Sequence, residues 1–539
     1  MKSITVDKMS DFTQSLEKFK YTEEDRVSES NTDTKQVSLS HSSVPTTSGL
    51  DISELSPEQR YAYRQFAKGE NLFITGPGGT GKTRLVKHLI AYAKSINKNI
   101  PVCAMTGCAA VLLECNARTL HSWSGIKLAK QSNEQVVSSV LKNKHALKSW
   151  KSAQGLILDE VSMLSKKIFE IVEEIARRAK HNQQPFGGMQ IIFTGDFFQL
   201  PPVGTYGDPD TDKFCFESPL WNSVFKPRNH IELTTMFRQS DPLYIDILQQ
   251  IRRGNLDADK KAILQSYVKR EYNEAMNNGC IPTKLFALRS KTDYVNSMMF
   301  QKINGKEYVF NAIRKTDCTT HLDTTKPFTL EENRNCSLLS EKDIEQELEY
   351  MLNNIQCNQV LRLKRGAAVM CTVNLDMDNS ICNGSQGVVI DIIDTCVPPL
   401  PVVRFSNGMI KTIQPKFWQS EEYPRIAIGQ YPLSLAWALT IHKIQGATLT
   451  MAEMDIGQSI FEYGQTYVAL SRIKSLDGLY LSAFYSEKIA ANPKVIAFYN
   501  NIPKIHPTAY MDSTETTLEP EEYNAAVPKC DSTIKIVRL

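Results

Sequence analysis

Short apolar segments of strand length alternate with longer segments of helical periodicity between about residues 55 and 498. Asn71–Thr75, Gly155–Leu158 and Met189–Phe193 are three strand segments with Leu, Ile, Phe or Met at most positions. Strands that alternate with longer helical patterns are typical of parallel sheets covered by helices. The pattern therefore predicts an α/β fold.

One interior stretch, residues 366–429, breaks this rhythm and predicts a small all-β insertion. It contains short segments rich in Val and Ile, separated by turn residues. These segments are Ala367–Val373, Gly387–Ile393, Pro401–Phe405 and Met409–Ile413. The last two are joined by Ser406-Asn407-Gly408. Asn-Gly is a strong hairpin signal, because both central residues of its turn must tolerate positive φ.

The two ends of the chain differ in composition from its centre. Residues 28–49 are rich in Ser and Thr and nearly free of large apolar side chains. Such a segment cannot offset the entropy lost on ordering, so we interpret residues 1–50 as a disordered N-terminal arm. Residues 501–539 are again polar and irregular, and we expect a C-terminal tail there.

Composition limits the protein class. The 539 residues are 42% hydrophobic and 22% charged, which suits a globular protein of about three to four domains. The net charge is only +3, so a polyanionic partner must be bound by local basic patches. Without a run of roughly eighteen apolar residues or a secretory signal, we expect an intracellular protein with no membrane partner. The twelve cysteines contain no C-x-x-C, which argues against a zinc site.

A complete P-loop follows the first apolar strand. Its residues are Gly76, Pro77, Gly78, Gly79, Thr80, Gly81, Lys82 and Thr83. The motif requires a strand before it and a helix after it, and both patterns are present. Backbone N–H groups and the helix dipole surround the phosphates, Lys82 reaches the β- and γ-phosphates, and Thr83 supplies a hydroxyl to Mg²⁺. The segment predicts binding of ATP and Mg²⁺.

Polar residues follow the second and third strands, at the ends where open α/β sheets bind ligands. Asp159 would hold Mg²⁺, directly or through water, and Glu160 would orient and deprotonate the attacking water. Gln199 follows the third strand and is placed to hydrogen-bond the γ-phosphate. The alternative for Gln199 is a turn amide that caps Pro201 and Pro202.

Arg238 and Arg472 lie far from the P-loop in sequence. Transition-state charge on the γ-phosphate is commonly neutralised by an arginine from a second domain or subunit. Arginines are also plain surface residues, and the local pattern alone favours the surface for both.

Several longer strings carry a family resemblance. They are SPEQ at 56–59, GPGGTGKT at 76–83, MTGCAAVLL at 105–113, TLHSW at 119–123, DEVSML at 159–164, QPFGGMQIIFTGDFFQLPP at 184–202, LAWALTIHKIQGATL at 435–449 and YVALSRIKSLDGLYL at 467–481. The GDFFQLPP and IHKIQGATL strings are highly specific in this order and spacing. The set resembles superfamily-one helicases, most closely the PIF (petite integration frequency) family in the branch with RecD and Dda.

The resemblance implies an architecture. Two RecA-like domains would occupy residues 51–225 and residues 226–365 with 430–500, with ATP between them. Single-stranded DNA would cross both and be translocated 5′→3′. The insertion at 366–429 would be an SH3-like module over the DNA, and a short insertion at about 115–150 would supply the strand-separating wedge.

The resemblance also implies residue roles. Gln59 would read adenine, and Gln445 and Gly446 would lie near the nucleotide and couple it to DNA. The hydrolysis site would contain Lys82, Thr83, Asp159, Glu160, Gln199, Arg238 and Arg472.

Candidate DNA contacts come from both domains, because a motor without sequence preference needs phosphate and stacking contacts. They are Thr106, Gly107, His121, Ser122, Thr440, His442 and Lys443. For Thr106, His121 and Ser122 an internal capping role is the alternative. Met105 and Ile444 depart from residues common in the family, and both are expected near the DNA. Phe197, Phe198, Trp123 and Trp150 are expected to contribute mainly to packing.

The leading hypothesis is an ATP-dependent helicase that acts on single-stranded and forked DNA as a monomer or weakly associating protein. One alternative is a superfamily-one RNA helicase or remodeller, whose track would accept 2′-hydroxyl groups. The other is a nucleic-acid-binding scaffold with a vestigial ATPase. The presence of Lys82, Glu160 and Arg472 argues against this alternative.

Overall fold

The computed structural model describes residues 52–503, apart from positions 114, 116, 128, 130, 273–280, 323–324, 355–356, 377–378, 380 and 421–422. The expected arm at 1–50 lies outside the described residues, as does the expected tail beyond residue 503. Within the described part of the chain, no helix combines the length and the apolar character needed to cross a membrane.

A six-stranded parallel sheet forms the first lobe. Its strands are β1 (Leu72–Thr75), β2 (Val102–Ala104), β3 (Arg118–Thr119), β4 (Gly155–Asp159), β5 (Gln190–Gly195) and β6 (His230–Glu232). Their order across the sheet is β3-β2-β4-β5-β1-β6. The three strands predicted from apolar segments are confirmed as β1, β4 and β5. Because all pairings are parallel, the P-loop and the residues after β4 and β5 meet at one edge.

Helices surround this sheet. They are α1 (Pro57–Ala67), α2 (Lys82–Ser95), α3 (Gly107–Leu112), α4 (Leu120–Ser124), α5 (Asn133–Lys142), α6 (Lys144–Ser152), α7 (Lys166–Lys180) and α8 (Trp221–Val224). Ser56 begins α1 through a capping box with Gln59. Between α4 and α6, the rings of Trp123 and Trp150 pack at an angle of 56° with centroids 4.5 Å apart, and the Trp150 indole donates to the Ser124 carbonyl. The packing role expected for both tryptophans is confirmed.

The chain then enters the second lobe, where a parallel sheet is interrupted by a long antiparallel region. The lobe begins with α9 (Pro242–Arg252), α10 (Ala258–Ser266), β7 (Thr283–Phe286) and α11 (Arg289–Lys302). The interrupting region contains β8 (Tyr308–Asn311), β9 (Ile313–Lys315), α12 (Leu330–Ser337), α13 (Glu341–Asn354), β10 (Val360–Leu363), β11 (Ala368–Cys371), β12 (Gln386–Ile393), β13 (Leu400–Phe405), β14 (Ile410–Thr412), β15 (Lys416–Gln419), β16 (Ala427–Gln430) and β17 (Leu433–Leu435).

The second parallel sheet is completed after this region. Its remaining strands are β18 (Ala438–Thr440), β19 (Ala452–Ile456) and β20 (Leu479–Phe484), with α14 (Gln465–Leu470) before β20 and α15 (Pro493–Asn500) after it. The strand order is β18-β7-β19-β20. Two parallel sheets with helices and a separate antiparallel region confirm the α/β class.

The predicted β insertion is a five-stranded antiparallel sheet in the order β14-β13-β12-β11-β17. The four predicted segments are β11 to β14, and the hairpin between β13 and β14 is confirmed. Its turn differs from the expected one, because Gly408 has a φ of 85° whereas Asn407 is not among the positive-φ residues. The loop has three residues, with glycine alone in the left-handed region.

The antiparallel region extends beyond the predicted 366–429. β17 supplies the fifth strand of the sheet, and β9, β15 and β16 form a separate three-stranded sheet beside α13. Residues 306–360 fall within the second RecA-like domain predicted at 226–365 and 430–500. The structure builds them into this antiparallel region, because their short strands pair with one another and with β16.

Helix α15 lies against the first lobe, although it follows the last strand of the second. Val495 belongs to the same buried cluster as Phe73 of β1, and Phe498 packs against that cluster. The Phe498 ring lies 5.4 Å from the Phe197 ring and 5.9 Å from the Trp221 ring. The predicted second RecA-like domain, residues 226–365 with 430–500, therefore includes a helix whose side chains pack into the core of the first lobe.

Candidate nucleotide-binding site

The P-loop has the backbone that its glycines predict. Gly76, Gly79 and Gly81 have φ values of 141°, 99° and 76°, which L side chains rarely adopt. Gly76 also lies close to Leu233, which directly follows the neighbouring strand β6. A Cβ on Gly76 would lie 2.4 Å from the Leu233 carbonyl oxygen. The loop therefore needs glycine both for its conformation and for its packing.

Lys82 lies across the mouth of this loop. Its Nζ donates to the carbonyl oxygens of Gly76 and Pro77 at 2.7 and 3.0 Å. Burial lowers the pKa of Lys82, and the carboxylates of Asp196, Glu160 and Asp159 oppose that shift. The structure thus brings the ammonium group near the acidic groups at the strand ends. Thr83, in the first turn of α2, follows Lys82.

Two carboxylates lie together beside Lys82. Asp159 accepts hydrogen bonds from the Glu160 backbone N–H at 2.9 Å and from the Thr194 hydroxyl. Burial raises the pKa of Asp159, and burial together with the Asp159 charge raises that of Glu160. Two desolvated carboxylates side by side would repel a phosphate, so a cation bound between the carboxylates and the phosphate would be stabilising. A divalent ion with oxygen ligands fits this donor set.

The second lobe supplies two arginines to the same place. The Arg472 guanidinium is 2% exposed and would lie 3.3 Å from a Cβ on Gly78. Burial lowers its pKa, and Glu160 opposes that shift. Arg238 donates to the Ser471 carbonyl at 3.0 Å, and burial and the Arg472 charge lower its pKa to about 9. Arg472 is buried and Arg238 is partly exposed, and two guanidinium groups that repel each other fit an anion bound between them.

Gln445 crosses between the lobes. Its Nε2 donates to the Glu160 carboxylate at 3.1 Å, and its Oε1 has no hydrogen-bond donor in the described part of the chain. Gly446 follows with a φ of 85°. Gln445 therefore links the segment after β18 directly to a predicted catalytic carboxylate.

Gln59 and Gln199 occupy different surroundings. Gln59 is fully buried, its Oε1 accepts from the Ser56 N–H, and its Nε2 donates to the carbonyls of Thr80 and Gly81. Its amide therefore supports the P-loop in this structure. Gln199 is 4% exposed, and its Oε1 lacks a donor among the described residues.

Sequence reasoning missed Phe237. Its backbone N–H donates to the Gly79 carbonyl at 2.9 Å, and a Cβ on Gly81 would lie 3.2 Å from its ring. The side chain is 48% exposed although it contacts the P-loop. An aromatic residue next to the predicted Arg238 was the available signal, because an exposed ring beside a phosphate site can stack on a base.

A buried network below the P-loop was also missed. Asp196, which directly follows β5, forms a bidentate pair with Arg252 of α9, both bonds being 2.9 Å long. Tyr467 of α14 donates to Asp196 at 3.3 Å and accepts from the Gly78 N–H at 2.8 Å. Tyr499 of α15 donates to Asp196 at 3.2 Å. These contacts join the two lobes through side chains whose partners no local pattern reveals.

Gly464, just before α14 of the second lobe, packs closely against the backbone of the first lobe. A Cβ there would lie 2.5 and 2.6 Å from the carbonyl oxygens of Phe198 and Gln199. We expect Gly464→Ala to destabilise the protein by about 1–3 kcal/mol in urea denaturation, because the contact and a φ of 75° both oppose a side chain. Gly207→Ala is the matched control, since Gly207 has a φ of 78° but no atom of the described residues within 4 Å of its Cβ position. Equal losses in the two variants would contradict the contact.

The candidate DNA contacts divide into caps and free groups. The Thr106 hydroxyl accepts from the Ala109 N–H, beside Gly107 at the start of α3, and the Thr440 hydroxyl accepts from the Lys443 N–H. The capping alternative is therefore what the structure shows for Thr106. Lys443 is exposed.

His121 and His442 are partly buried, and burial lowers the pKa of each. Burial thus favours the uncharged form of each ring, which can offer a hydrogen bond, and Glu462 opposes this effect at His442. Ser122 of α4 accepts a hydrogen bond from Tyr350 of α13, so the antiparallel region reaches the first lobe.

Two departures from the family pattern have a packing explanation. Ile444 is fully buried in the core of the second lobe, and Met105 packs against the first-lobe core. Both were expected near the DNA, but neither is a free surface residue. Phe197 and Phe198 are 1% and 7% exposed, as the packing expectation requires.

The site brings together Lys82, Glu160, Arg238, Gln445 and Arg472, which are spread over 391 positions of the sequence. The DNA candidates lie in other segments, at the starts of α3 and α4 and after β18.

A model of the PIF1-like helicase family matches residues 54–262, and a model of the DNA helicase Pif1 2B domain matches residues 348–392. The chain is 33% identical over 468 residues to ATP-dependent DNA helicase PIF1 of Xenopus laevis, covering 86% of this chain and 67% of that protein. It is 30% identical over 516 residues to protein 030L of Invertebrate iridescent virus 6, covering 83% of this chain and 94% of that protein.

Solved structures agree. The crystal structure of Pif1 helicase from Candida albicans superposes with a TM-score of 0.64 at 33% identity, covering 83% of this chain and 99% of that one. A structure described as the basis for DNA unwinding at forked duplex DNA by two coordinating Pif1 helicases gives a TM-score of 0.53 at 27% identity, covering 83% and 96%. The chain spans about two thirds of the length of the PIF1 proteins from Xenopus laevis and Homo sapiens. It belongs to the PIF1-like helicases, a family of ATP-dependent DNA helicases.

Proposed function

We propose that this chain hydrolyses ATP between its two lobes and uses the cycle to move 5′→3′ along single-stranded DNA and unwind duplex DNA. The observation that carries the proposal is the convergence of Lys82 and Glu160 from one lobe with Arg472 and Gln445 from the other. A site split between two lobes changes when they move, so hydrolysis can drive motion.

The residues support in-line hydrolysis of the γ-phosphate. Glu160 orients a water molecule and accepts its proton as the water oxygen bonds to the γ-phosphorus. The bond to the bridging oxygen breaks, and ADP leaves with the electron pair. Lys82, Arg238 and Arg472 neutralise the charge that spreads over the γ-phosphate oxygens. Gln199 is the proposed sensor of that phosphate.

A Mg²⁺ ion fits the donor set. Asp159 and the Thr83 hydroxyl are hard oxygen ligands of the kind that Mg²⁺ prefers, and they would hold it beside the phosphates. When bound, the ion would neutralise charge on the β- and γ-phosphates. Such an ion would account for two neighbouring carboxylates, Asp159 buried and Glu160 partly exposed, at a site for an anion.

The base and the ribose would lie on the outer side of the loop. We propose that the exposed ring of Phe237 stacks on adenine. Gln59 supports the loop at the same place through Thr80 and Gly81. For Gln59 to bind adenine, its Nε2 would have to release the Thr80 or Gly81 carbonyl and donate a hydrogen bond to the base instead.

Single-stranded DNA is the proposed track, and a fork is the proposed junction. Gly107, His121, Ser122, Thr440, His442 and Lys443 would contact it, with Thr106 acting through the start of α3. Phe461 is 62% exposed and precedes Glu462, whose charge acts on His442, so its ring is a further candidate for base stacking. Residues 115–150 would form the wedge, and residues 366–429 an SH3-like module over the strand.

The proposed domain division is revised accordingly. The first RecA-like domain would contain residues 51–233, which include β6 of its sheet, and α15. The second would contain residues 234–305 and 438–490. The intervening antiparallel region would be a third body. A protein built this way needs no second copy to complete its site, which supports a monomeric or weakly associating motor.

Direction is tested with forked duplexes that carry only one single-stranded tail. With ATP and Mg²⁺, we expect unwinding of the fork with a 5′ tail and none of the fork with a 3′ tail. The reverse result would overturn the proposed direction. Lys82→Ala is the matched control, because a motor needs that ammonium group and a scaffold does not.

The same assay separates the alternatives. An RNA helicase would show ATPase stimulation by single-stranded RNA that matches or exceeds stimulation by DNA of the same sequence. A scaffold would show equal activity with and without Lys82. We expect stimulation by DNA and loss of unwinding in Lys82→Ala.

A further inference from the structure

Gln239 is a buried amide between the P-loop and the turn that carries Arg472. It lies one residue after Arg238, in the segment before α9, and is 3% exposed. Its Nε2 donates to the Ser471 carbonyl at 3.2 Å and to the Ile473 carbonyl at 2.9 Å. These are the two carbonyls on either side of Arg472, so one side chain holds the backbone before and after the arginine.

The turn needs this support. Helix α14 ends at Leu470, and carbonyl groups beyond a helix end have no donor within the helix. The Ser471 carbonyl receives Gln239 and Arg238, and the Leu470 carbonyl receives the Tyr244 hydroxyl at 2.8 Å. The segment around α9 therefore sets the backbone from which the Arg472 guanidinium projects.

The other end of the Gln239 amide faces the P-loop. A Cβ on Gly79 would lie 2.9 Å from its Oε1, and that oxygen has no hydrogen-bond donor among the residues the structure describes. An acceptor left unpaired at a buried position is costly, so a packing role alone does not explain an amide here. Gly79 packs against the Gln239 side chain, which holds the turn that carries Arg472. A shift of Gly79 on nucleotide binding would therefore displace that side chain.

We infer that Gln239 is a positioning residue that fixes Arg472 for the transition state and ties its position to the P-loop. The inference rests on the proposed function, since it acts through an arginine assigned there. Gln239 touches neither the phosphates nor the water in this account. Its removal should therefore lower kcat and leave ground-state ATP binding nearly intact.

A double-mutant cycle tests this. Gln239→Leu is expected to lower kcat of DNA-stimulated hydrolysis about tenfold or more, with KM for ATP changed less than about threefold. In an Arg472→Ala background the same substitution should have no further effect, because its target is gone. Gln250→Leu is the matched control, since Gln250 also donates and accepts through its amide, but to Asp257 away from the site.

Gln239→Glu is a second variant in case Gln239→Leu folds poorly. It keeps the shape of the side chain but lacks the N–H donor for the Ser471 and Ile473 carbonyls, so we expect the same loss in kcat. Affinity for ADP with aluminium fluoride should fall in both variants, while affinity for ADP stays unchanged. Additive losses in the cycle, or equal losses of both affinities, would overturn the inference and leave a structural role. A normal kcat in Arg472→Ala alone would instead overturn the arginine assignment in the proposed function.

Discussion

Replacing Arg472 with alanine is expected to lower kcat for ATP hydrolysis by about 1,000-fold or more, in the range of other arginines that neutralise a γ-phosphate. The guanidinium is buried, lies beside Gly78, and is in electrostatic contact with Glu160. It can therefore reach a phosphate held by the P-loop. Binding of a fluorescent ADP should persist, because the P-loop binds the diphosphate without the second lobe.

Arg362→Ala is the matched control for this prediction. Arg362 is also an arginine of the region after the first lobe, but its side chain is 60% exposed and pairs with Glu307. We expect the Arg362→Ala variant to hydrolyse ATP at a rate within about twofold of that of the original protein, since exposed ion pairs contribute little to stability. Similar rates in the two variants would contradict the role of Arg472. Arg472→Lys should rescue little, because a lysine lacks the planar fork of donors.

Replacing Asp196 with alanine is expected to destabilise the protein by about 3–5 kcal/mol, because it removes the bidentate partner of the buried Arg252 and leaves only the Glu232 carboxylate, 3.4 Å away, among the described residues. Asp196 and Arg252 side chains are 0% and 2% exposed. The carboxylate also accepts from Tyr467 and Tyr499, so its loss disconnects α14 and α15 from the end of β5. Urea denaturation monitored by tryptophan fluorescence measures the change.

The control for Asp196 is an ion pair of similar length at the surface. Arg178 and Glu134 lie 3.0 Å apart, with side chains that are 42% and 69% exposed. Glu134→Ala should cost less than about 1 kcal/mol, since solvent screens such pairs. A loss for Asp196→Ala as small as that for Glu134→Ala would show that the buried network does not hold the lobes together.

The sequence predicted the parts of the site that depend on local order. The P-loop, Asp159 and Glu160 follow apolar strands, and parallel strands bring such residues to one edge whatever the details of packing. The positions of β1, β4 and β5 followed from the same apolar runs. These features required no knowledge of contacts between distant segments.

Other features depend on long-range contacts and carry no periodic signal. Gln239 and Phe237 contact the P-loop from about 160 positions away, and only their place beside the predicted Arg238 distinguishes them from other loop residues. Helix α15 has the apolar face of any surface helix, so its return to the first lobe could not be deduced. The turn at Asn407-Gly408 was predicted as a hairpin, but the loop length that decides its type depends on strand register.

The most direct test of the account is a crystal structure of the chain with ADP, aluminium fluoride and Mg²⁺. The account predicts that the fluoride group is contacted at about 3 Å by Lys82 from one lobe and by the Arg472 guanidinium from the other. A fluoride group held by first-lobe residues alone, with Arg472 turned away into the second lobe, would contradict it.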